Sequence, residues 1–323
     1  MSAIKHKADK AFLDESFLTS PEARILRIMA EYMEPRVRLA KEGIKDTIVF
    51  FGSARIRSLE EASSDRLKVE HADHLVEHAR SSSQEIKNEL DSARKRIDIQ
   101  EKLAHYYEDA VELARLLTEW SMHVAISDAE RQYKRLGTQD EHIPFVSLED
   151  IRNKTFKQRY VICSGGGPGI MEAANKGAML AGGRTIGFNI ALPYEQMPNS
   201  YISDELNFEF HYFFMRKFWF SYLSKALVVF PGGYGTIDEL FEILTLVQTG
   251  KIKKKMPIIV YGSAYWEKVI NLPFLAEMGM IDSDDLKLLH FSNSPQEAFE
   301  YLKTELERLD EGEESFMQSN IRL

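Results

Sequence analysis

The sequence predicts an α/β fold: a Rossmann-like, doubly wound, mainly parallel sheet of about seven strands, carrying an inserted helical arm. Short apolar, β-rich runs alternate along the chain with stretches of helical periodicity, the pattern of a parallel sheet covered on both faces. Three of those runs end in glycine-bearing turns, at Gly52, at Gly165–Gly169 and at Gly232–Gly235. A chain of 323 residues, 44% hydrophobic and 28% charged, has ordinary globular composition. It reads as one Rossmann-like domain over 1–323, with the arm at 57–103 and a surface insertion at 127–158.

Residues 1–16 are polar and read as frayed. Ser20-Pro21-Glu22 looks like an N-cap, a proline at N1 and an acidic first turn. Ile25, Ile28, Met29 and Met33 mark one face of the helix that follows, which Pro35 is expected to kink or end. Thr47–Phe51 (TIVFF) is a buried strand running into Gly52-Ser53-Ala54-Arg55. Such a turn, at the carboxyl end of a parallel strand, lies where open α/β sheets bind ligands. It also reads as a plain strand-to-helix turn, and both readings stay open.

From Ser58 to Trp120 there is no glycine or proline and charge is abundant. Ala72, Val76, Ala79, Ser83, Ile86, Leu90, Ala93 and Ile97 fall at steps of four and three, a weak heptad seam. A continuous helix from Asp65 to Glu119 would span roughly 80 Å; a hairpin broken near Ser81-Ser82-Ser83 fits equally. Leu103, Tyr107, Ala110, Leu113 or Ala114, and Leu117 should pack on the sheet, and the remainder should form an arm suited to subunit contacts. Within it, His74, Glu77 and His78 follow the H-x-x-E-H order, with His71 nearby. Two histidines at i and i+4 could grip a metal. Val76 and Ala79 instead suggest packing against a partner helix, so a solvated polar face is preferred and no metal is expected.

Met122–Ile126 (MHVAI) reads as a second strand, and 127–158 as a polar, irregular insertion. Tyr160–Cys163 then leads into Gly165-Gly166-Gly167-Pro168-Gly169, a second strand–turn–helix unit. It approaches G-x-G-x-x-G but has Ile170 in the third glycine's place, which is weak evidence for NAD. Arg184–Asn189 and Phe208–Tyr212 read as strands. Arg216 and Lys217 sit in an aromatic helix start, where they either snorkel outward or meet an anionic partner; the functional reading is preferred. Ala226–Phe230 is a buried strand that stops at Pro231-Gly232-Gly233-Tyr234-Gly235-Thr236. A helix face of Ile237, Leu240, Phe241, Leu244 and Val247 follows. Glycines that let backbone approach an oxyanion, ahead of a helix N-terminus, make an anion site. Asp238, Glu239 and Glu242 stand immediately beyond it. Lys251–Lys255 should complement the end of that helix. Pro257–Tyr261 is the last clear strand, and 264–278 and 295–309 look helical.

A formal net charge of −9 argues against general nucleic-acid binding. A single cysteine, Cys163, fits a reducing compartment. The opening MSAIKHKADKAF lacks the 7–15-residue apolar core of a signal peptide, and no run approaches the ~20 apolar residues of a membrane helix. The expectation is a cytoplasmic protein with no membrane partner.

At Pro231-Gly232-Gly233-Tyr234-Gly235-Thr236-Ile237-Asp238-Glu239 the sequence resembles the LOG (Lonely Guy) family, whose hallmark is PGG-x-GT-x-x-E. Arg216-Lys217 resembles the family's preceding Arg-Lys pair. Gly165 to Ala173 resembles its GGG-x-x-G-[IL]-M-x-A segment, and Gly52-Ser53 its first-strand turn. The likeness covers roughly 47–56 and 104–280, with a layout like the longer bacterial branch. It implies a phosphoribohydrolase that cleaves the N-glycosidic bond of AMP or cytokinin riboside 5′-monophosphates, with no cofactor. Some relatives were long labelled lysine decarboxylases. The resemblance makes Glu239 and Arg216 the catalytic candidates. Gly232, Gly233, Gly235 and Thr236 would hold the 5′-phosphate, with Gly52, Ser53, Gly165, Gly166, Gly167, Gly169 and Lys217 also expected at the substrate. Glu242 would contact ribose hydroxyls or simply sit near the helix dipole, the reading preferred for Asp238. A homodimer or larger homo-oligomer is expected, with the arm at its interface. The alternatives are a non-catalytic nucleotide or cofactor carrier, a pyridoxal-phosphate-dependent lysine decarboxylase, and an assembly protein dominated by its arm.

Overall fold

The computed structural model describes residues 10–78, 84–137, 159–192 and 197–320. Among these, seven parallel strands form one sheet: β1 (Thr47–Phe51), β2 (Val161–Ser164), β3 (Thr185–Ile190), β4 (Asn207–Phe210), β5 (Ser224–Val229), β6 (Ile258–Tyr261) and β7 (Leu289–Ser292). Their order is β4-β3-β2-β1-β5-β6-β7. The chain builds outward from β1 to β4, then returns to lay β5 on the other side of β1, with Val49 opposite Leu227. The reversal makes the β1–β5 junction the switch point of the sheet, where a crevice opens at the carboxyl ends of the strands.

Each face of the sheet carries its own core. On one side Ile48, Phe50 and Ile162 pack against Tyr107, Leu113, Leu117 and Leu302. On the other, Val49, Phe51 and Val161 meet Leu39, Trp219, Phe220, Leu240 and Ile243. The strands are therefore apolar on both faces, which is why β1 and β5 read as continuous hydrophobic runs.

The strand count of seven hides one loss and one gain. Met122–Ile126 is not a strand but part of a long helix, α4 (Gln84–Gly137), which follows α3 (Leu59–His78). Leu113, Leu117, Ser121 and Ala125 recur every fourth residue and are all buried. That helical period carries straight through a run which, taken alone, is too short to tell from a strand. The strand gained is β7, an edge strand whose residues are mostly half-buried or exposed and so give no apolar run.

The arm is a hairpin. Its two limbs are tied across by Arg66 to Asp98 at 2.6 Å and to Glu101 at 2.5 Å, and by Arg94 to Asp73 at 2.7 Å. It is continuous with the core, because the 54-residue α4 forms one limb and then packs on the sheet through Ala104, Tyr107 and Ala110. The 127–158 insertion is corrected in part: 127–137 extend α4, and 138–158 lie outside the described residues. His71 and His74 are exposed on α3, while the side chains of Glu77 and His78 lie outside the described residues. No group of three potential metal ligands occurs among the described residues, and no described helix is long and apolar enough to cross a membrane.

Near the amino end, Glu15–Thr19 forms α1, capped by Asp14. Ser20 ends that helix instead of starting the next, and α2 spans Arg24–Lys41. Pro35 neither ends nor interrupts α2. A proline cannot donate to the carbonyl four residues back, here that of Glu31. The indole of Trp219 donates to that carbonyl at 2.9 Å. The Glu31 carboxylate in turn accepts from the backbone N–H groups of His211 at 2.8 Å and Tyr212 at 3.2 Å. These contacts anchor the start of α6 (Phe213–Leu223), the helix that carries Arg216. The remaining helices are α5 (Ile170–Leu180), α7 (Tyr234–Gln248), α8 (Ser263–Val269), α9 (Leu272–Glu277) and α10 (Pro295–Asn320).

Candidate functional site

The three glycine turns converge at the carboxyl ends of β1, β2 and β5 and are bonded to one another. Ser53 N–H donates to the Pro231 carbonyl at 3.0 Å, and Ile170 N–H to the Ser53 carbonyl at 3.1 Å. The Asn199 side chain donates to the carbonyls of Gly166 and Gly167, and the Tyr265 hydroxyl to that of Gly232. Above them lies a cleft of about 840 Å³. Of the sequence-predicted site residues, Gly52, Ser53, Gly165, Gly167, Arg216, Gly232, Gly233, Gly235, Thr236 and Glu239 line it. Gly166, Gly169, Lys217 and Glu242 do not.

The glycines of the two larger turns are there for different reasons. Gly166 and Gly169 have φ of +75° and +72°, a left-handed backbone that side chains resist. A Cβ on Gly169 would sit 2.4 Å from the Ser53 carbonyl oxygen, and one on Gly166 2.1 Å from Asn189 Oδ1. At Gly233 and Gly235, by contrast, a Cβ would meet nothing within 4 Å, and Gly233 has φ of −92°. Nothing in the protein's own packing calls for glycine at either position. Gly233 precedes α7, whose first turn has no side-chain cap. The unpaired N–H groups of that turn are therefore left for another acceptor.

Glu239 stands on the next turn of α7 and faces Arg216, with 3.4 Å between Oε1 and the guanidinium. Glu239 is buried and Arg216 half-buried. Burial raises the Glu239 pKa from 4.5 to about 7, against the pull of Arg216 and Lys217. Burial also depresses the Arg216 pKa, with Glu239 opposing the shift. Arg216 Nε is buried without a hydrogen-bond partner among the described residues, and the guanidinium lies 5.4 Å from the Phe213 ring centre and 5.6 Å from that of Phe220. An unsatisfied buried donor beside an apolar wall is a binding feature, since burying it uncompensated is costly.

The neighbouring cation is committed elsewhere. Lys217 Nζ lies 2.6 Å from Asp238 and 2.8 Å from Glu242. Burial disfavours its charge, but hydrogen bonds to both carboxylates outweigh this and raise its pKa. Successive residues on α6 thus serve the cleft and the outer side of α7 respectively.

Several lining residues escaped the motifs. Asn189 and Tyr265 carry polar groups to the cleft, Phe213 adds an aromatic wall, and Ile99, Gln100 and Leu103 bring the arm to its edge. Part of the arm expected at a subunit interface therefore walls the cleft. In the sequence Asn189 is simply the last residue of an expected strand, and only the tertiary fold shows what that strand end faces.

Residues 171–302 match the family model described as "Possible lysine decarboxylase". The match bears out the family resemblance and spans Arg216 and the whole Pro231–Glu242 segment, while starting beyond the Gly165–Gly169 turn. Among solved structures, the chain is similar to one titled the X-ray structure of TM1055, a structural genomics target. The two are 22% identical, with 45% of this chain and 78% of that chain covered, at a TM-score of 0.32. No curated protein matches the chain.

Proposed function

We propose that this chain, which resembles the LOG family and matches a family model over residues 171–302, hydrolyses the N-glycosidic bond of nucleoside 5′-monophosphates to free base and ribose 5-phosphate. The observation carrying this reading is the pairing of Gly233 and Gly235, open to a ligand, with a buried Glu239 facing Arg216 one helix turn away. The α7 N-terminus and Thr236 would bind the 5′-phosphate. Held there, the phosphate positions the sugar for a reaction remote from it.

As the bond from C1′ to the base nitrogen loosens, positive charge builds on the sugar, as in glycoside hydrolysis. The Glu239 carboxylate would stabilise that charge and take a proton from the attacking water. Water supplies the hydroxyl that ends on C1′, and the bonding electrons leave with the base, which is then protonated. Arg216 would hold Glu239 in place and offer its free Nε–H to a substrate oxygen. A pKa near 7 suits a group that must exchange protons at neutral pH. The substrates in view are AMP and cytokinin riboside 5′-monophosphates.

A lysine decarboxylase would need a Schiff-base lysine. Among the described residues no lysine lines the cleft, and Lys217 is held by two carboxylates. The residues therefore do not fit pyridoxal phosphate chemistry.

Glu239→Gln tests the proposal. Base release from AMP should fall by ~10²–10³-fold with nucleotide binding retained. Near-wild-type hydrolysis would overturn it. In the unsubstituted enzyme kcat/KM should decline as pH falls below about 7, because the carboxylate is lost.

A further inference from the structure

The cleft has a neighbour. A second cavity, of about 630 Å³, lies where the arm meets the core, walled by both limbs of the hairpin and by the turns that end β1 and β2. Ala54, Arg55, Ile56 and Gln100 line both spaces. Neither Glu239 nor the Gly232–Gly235 cradle reaches the second. Its charges do not cancel. Arg55 and Arg57 follow β1, Lys68 stands on α3 and Arg96 on α4, against Glu61, Asp65 and Glu172. The carboxylates are already engaged. Asp65 lies 2.7 Å from Lys68 and 3.5 Å from Arg57. Glu61 accepts from the N–H and hydroxyl of Ser58, and Glu172 from the Tyr107 hydroxyl at 2.8 Å. Arg55 and Arg96 are left without an anionic partner among the described residues.

Cations gathered round one space repel one another, and an anion placed among them removes that cost. Guanidinium forks match phosphate oxygens two at a time. α5 starts in the same wall, at Gly169, with no side-chain cap, so its amino end adds partial positive charge. The volume is that of a small-molecule site, and the net charge of −9 disfavours a nucleic acid as the occupant. A single phosphate is far smaller than the cavity. An occupant that meets cations on the core and on both limbs therefore carries more than one.

We propose that this cavity is a second ligand site, separate from the cleft, for a small molecule bearing a diphosphate or longer phosphate chain that bridges Arg55 on the core and Arg96 on the arm. Bridging holds α4, and with it the Ile99, Gln100 and Leu103 wall, against the cleft. The site does not depend on the reaction proposed for Glu239.

Inorganic pyrophosphate is the probe, titrated calorimetrically into the full chain and followed by amide hydrogen exchange. Exchange should slow in residues 52–57, in α3 and in residues 93–103. Any slowing at the start of α7 reports the cradle instead, so the two sites are read separately. Arg96→Gln should weaken binding at the arm by about tenfold to hundredfold and remove the protection there. Arg96→Lys, which keeps the charge but not the fork, should restore part of both. Lys95→Gln removes an exposed cation from the same limb outside the cavity wall and should change neither. Arg96 is itself exposed, so unfolding midpoints should agree among the variants. Absence of pyrophosphate binding, protection confined to the start of α7, protection that survives Arg96→Gln, or an equal loss in Lys95→Gln overturns the site. Citrate bound as tightly as pyrophosphate overturns its assignment to phosphate. Base release from nucleotides reports the Glu239 reaction independently, so failure of one proposal is distinguishable from failure of the other.

Discussion

The two glycine-rich turns, 165–169 and 232–235, look alike in sequence and differ in what holds their glycines in place. In the first, positive φ at Gly166 and Gly169 and contacts as close as the Ser53 carbonyl leave no room for a side chain. That turn is demanded by the fold and ties β1 to β2. In the second, Gly233 and Gly235 have open space where a Cβ would go. Glycine there costs the helix stability, on the order of 1 kcal/mol for a helical position, and returns nothing to packing. On the function proposed above, a ligand that needs bare backbone accounts for it. Glycine density alone therefore does not mark a binding loop; space around the absent Cβ separates a turn built for itself from one built for a ligand.

Substitutions can break this contrast. The largest effect should fall on the first turn: Gly169→Ala should destabilise the protein by about 3 kcal/mol or more, read from urea unfolding midpoints. Next comes the pH dependence that Glu239 imposes on stability. Its pKa is raised by the fold, so its contribution is complete below about pH 4.5 and is lost as pH rises through about 7. The loss amounts to about 3 kcal/mol, and the Glu239→Gln protein should show a flatter stability profile across that window. In the second turn, Gly235→Ala should raise the KM for 5′-monophosphates about tenfold to hundredfold while leaving the unfolding midpoint unchanged or slightly higher. Thr236→Val should weaken 5′-monophosphates about tenfold and nucleosides hardly at all. Equal destabilisation by Gly169→Ala and Gly235→Ala would erase the distinction.

Much of this was legible locally. The cradle, Glu239 and the strand before them lie within one continuous segment, and the residue types alone state the geometry. The β1 and β5 runs are legible because both faces of those strands are buried. What needed the fold was of two kinds. Met122–Ile126 looked like a strand because its helical period shows only when followed back to Leu113, and β7 is too exposed to announce itself. A local rule has Pro35 kink or end its helix, yet the carbonyl it deprives is satisfied by Trp219, distant in sequence. The opposed roles of Arg216 and Lys217, the place of Asn189 at the cleft and the arm's wall of Ile99, Gln100 and Leu103 are equally products of tertiary placement. Adjacent residues on a helix point in different directions, and only the packed neighbours say which one meets the cleft.

A panel of nucleoside 5′-monophosphates, with AMP first, should be incubated with the full chain and assayed for free base and ribose 5-phosphate together. Equimolar release of both is expected from at least one monophosphate, reduced by ~10²–10³-fold in Glu239→Gln. Binding of these nucleotides without release of base from any of them would contradict the proposed hydrolysis.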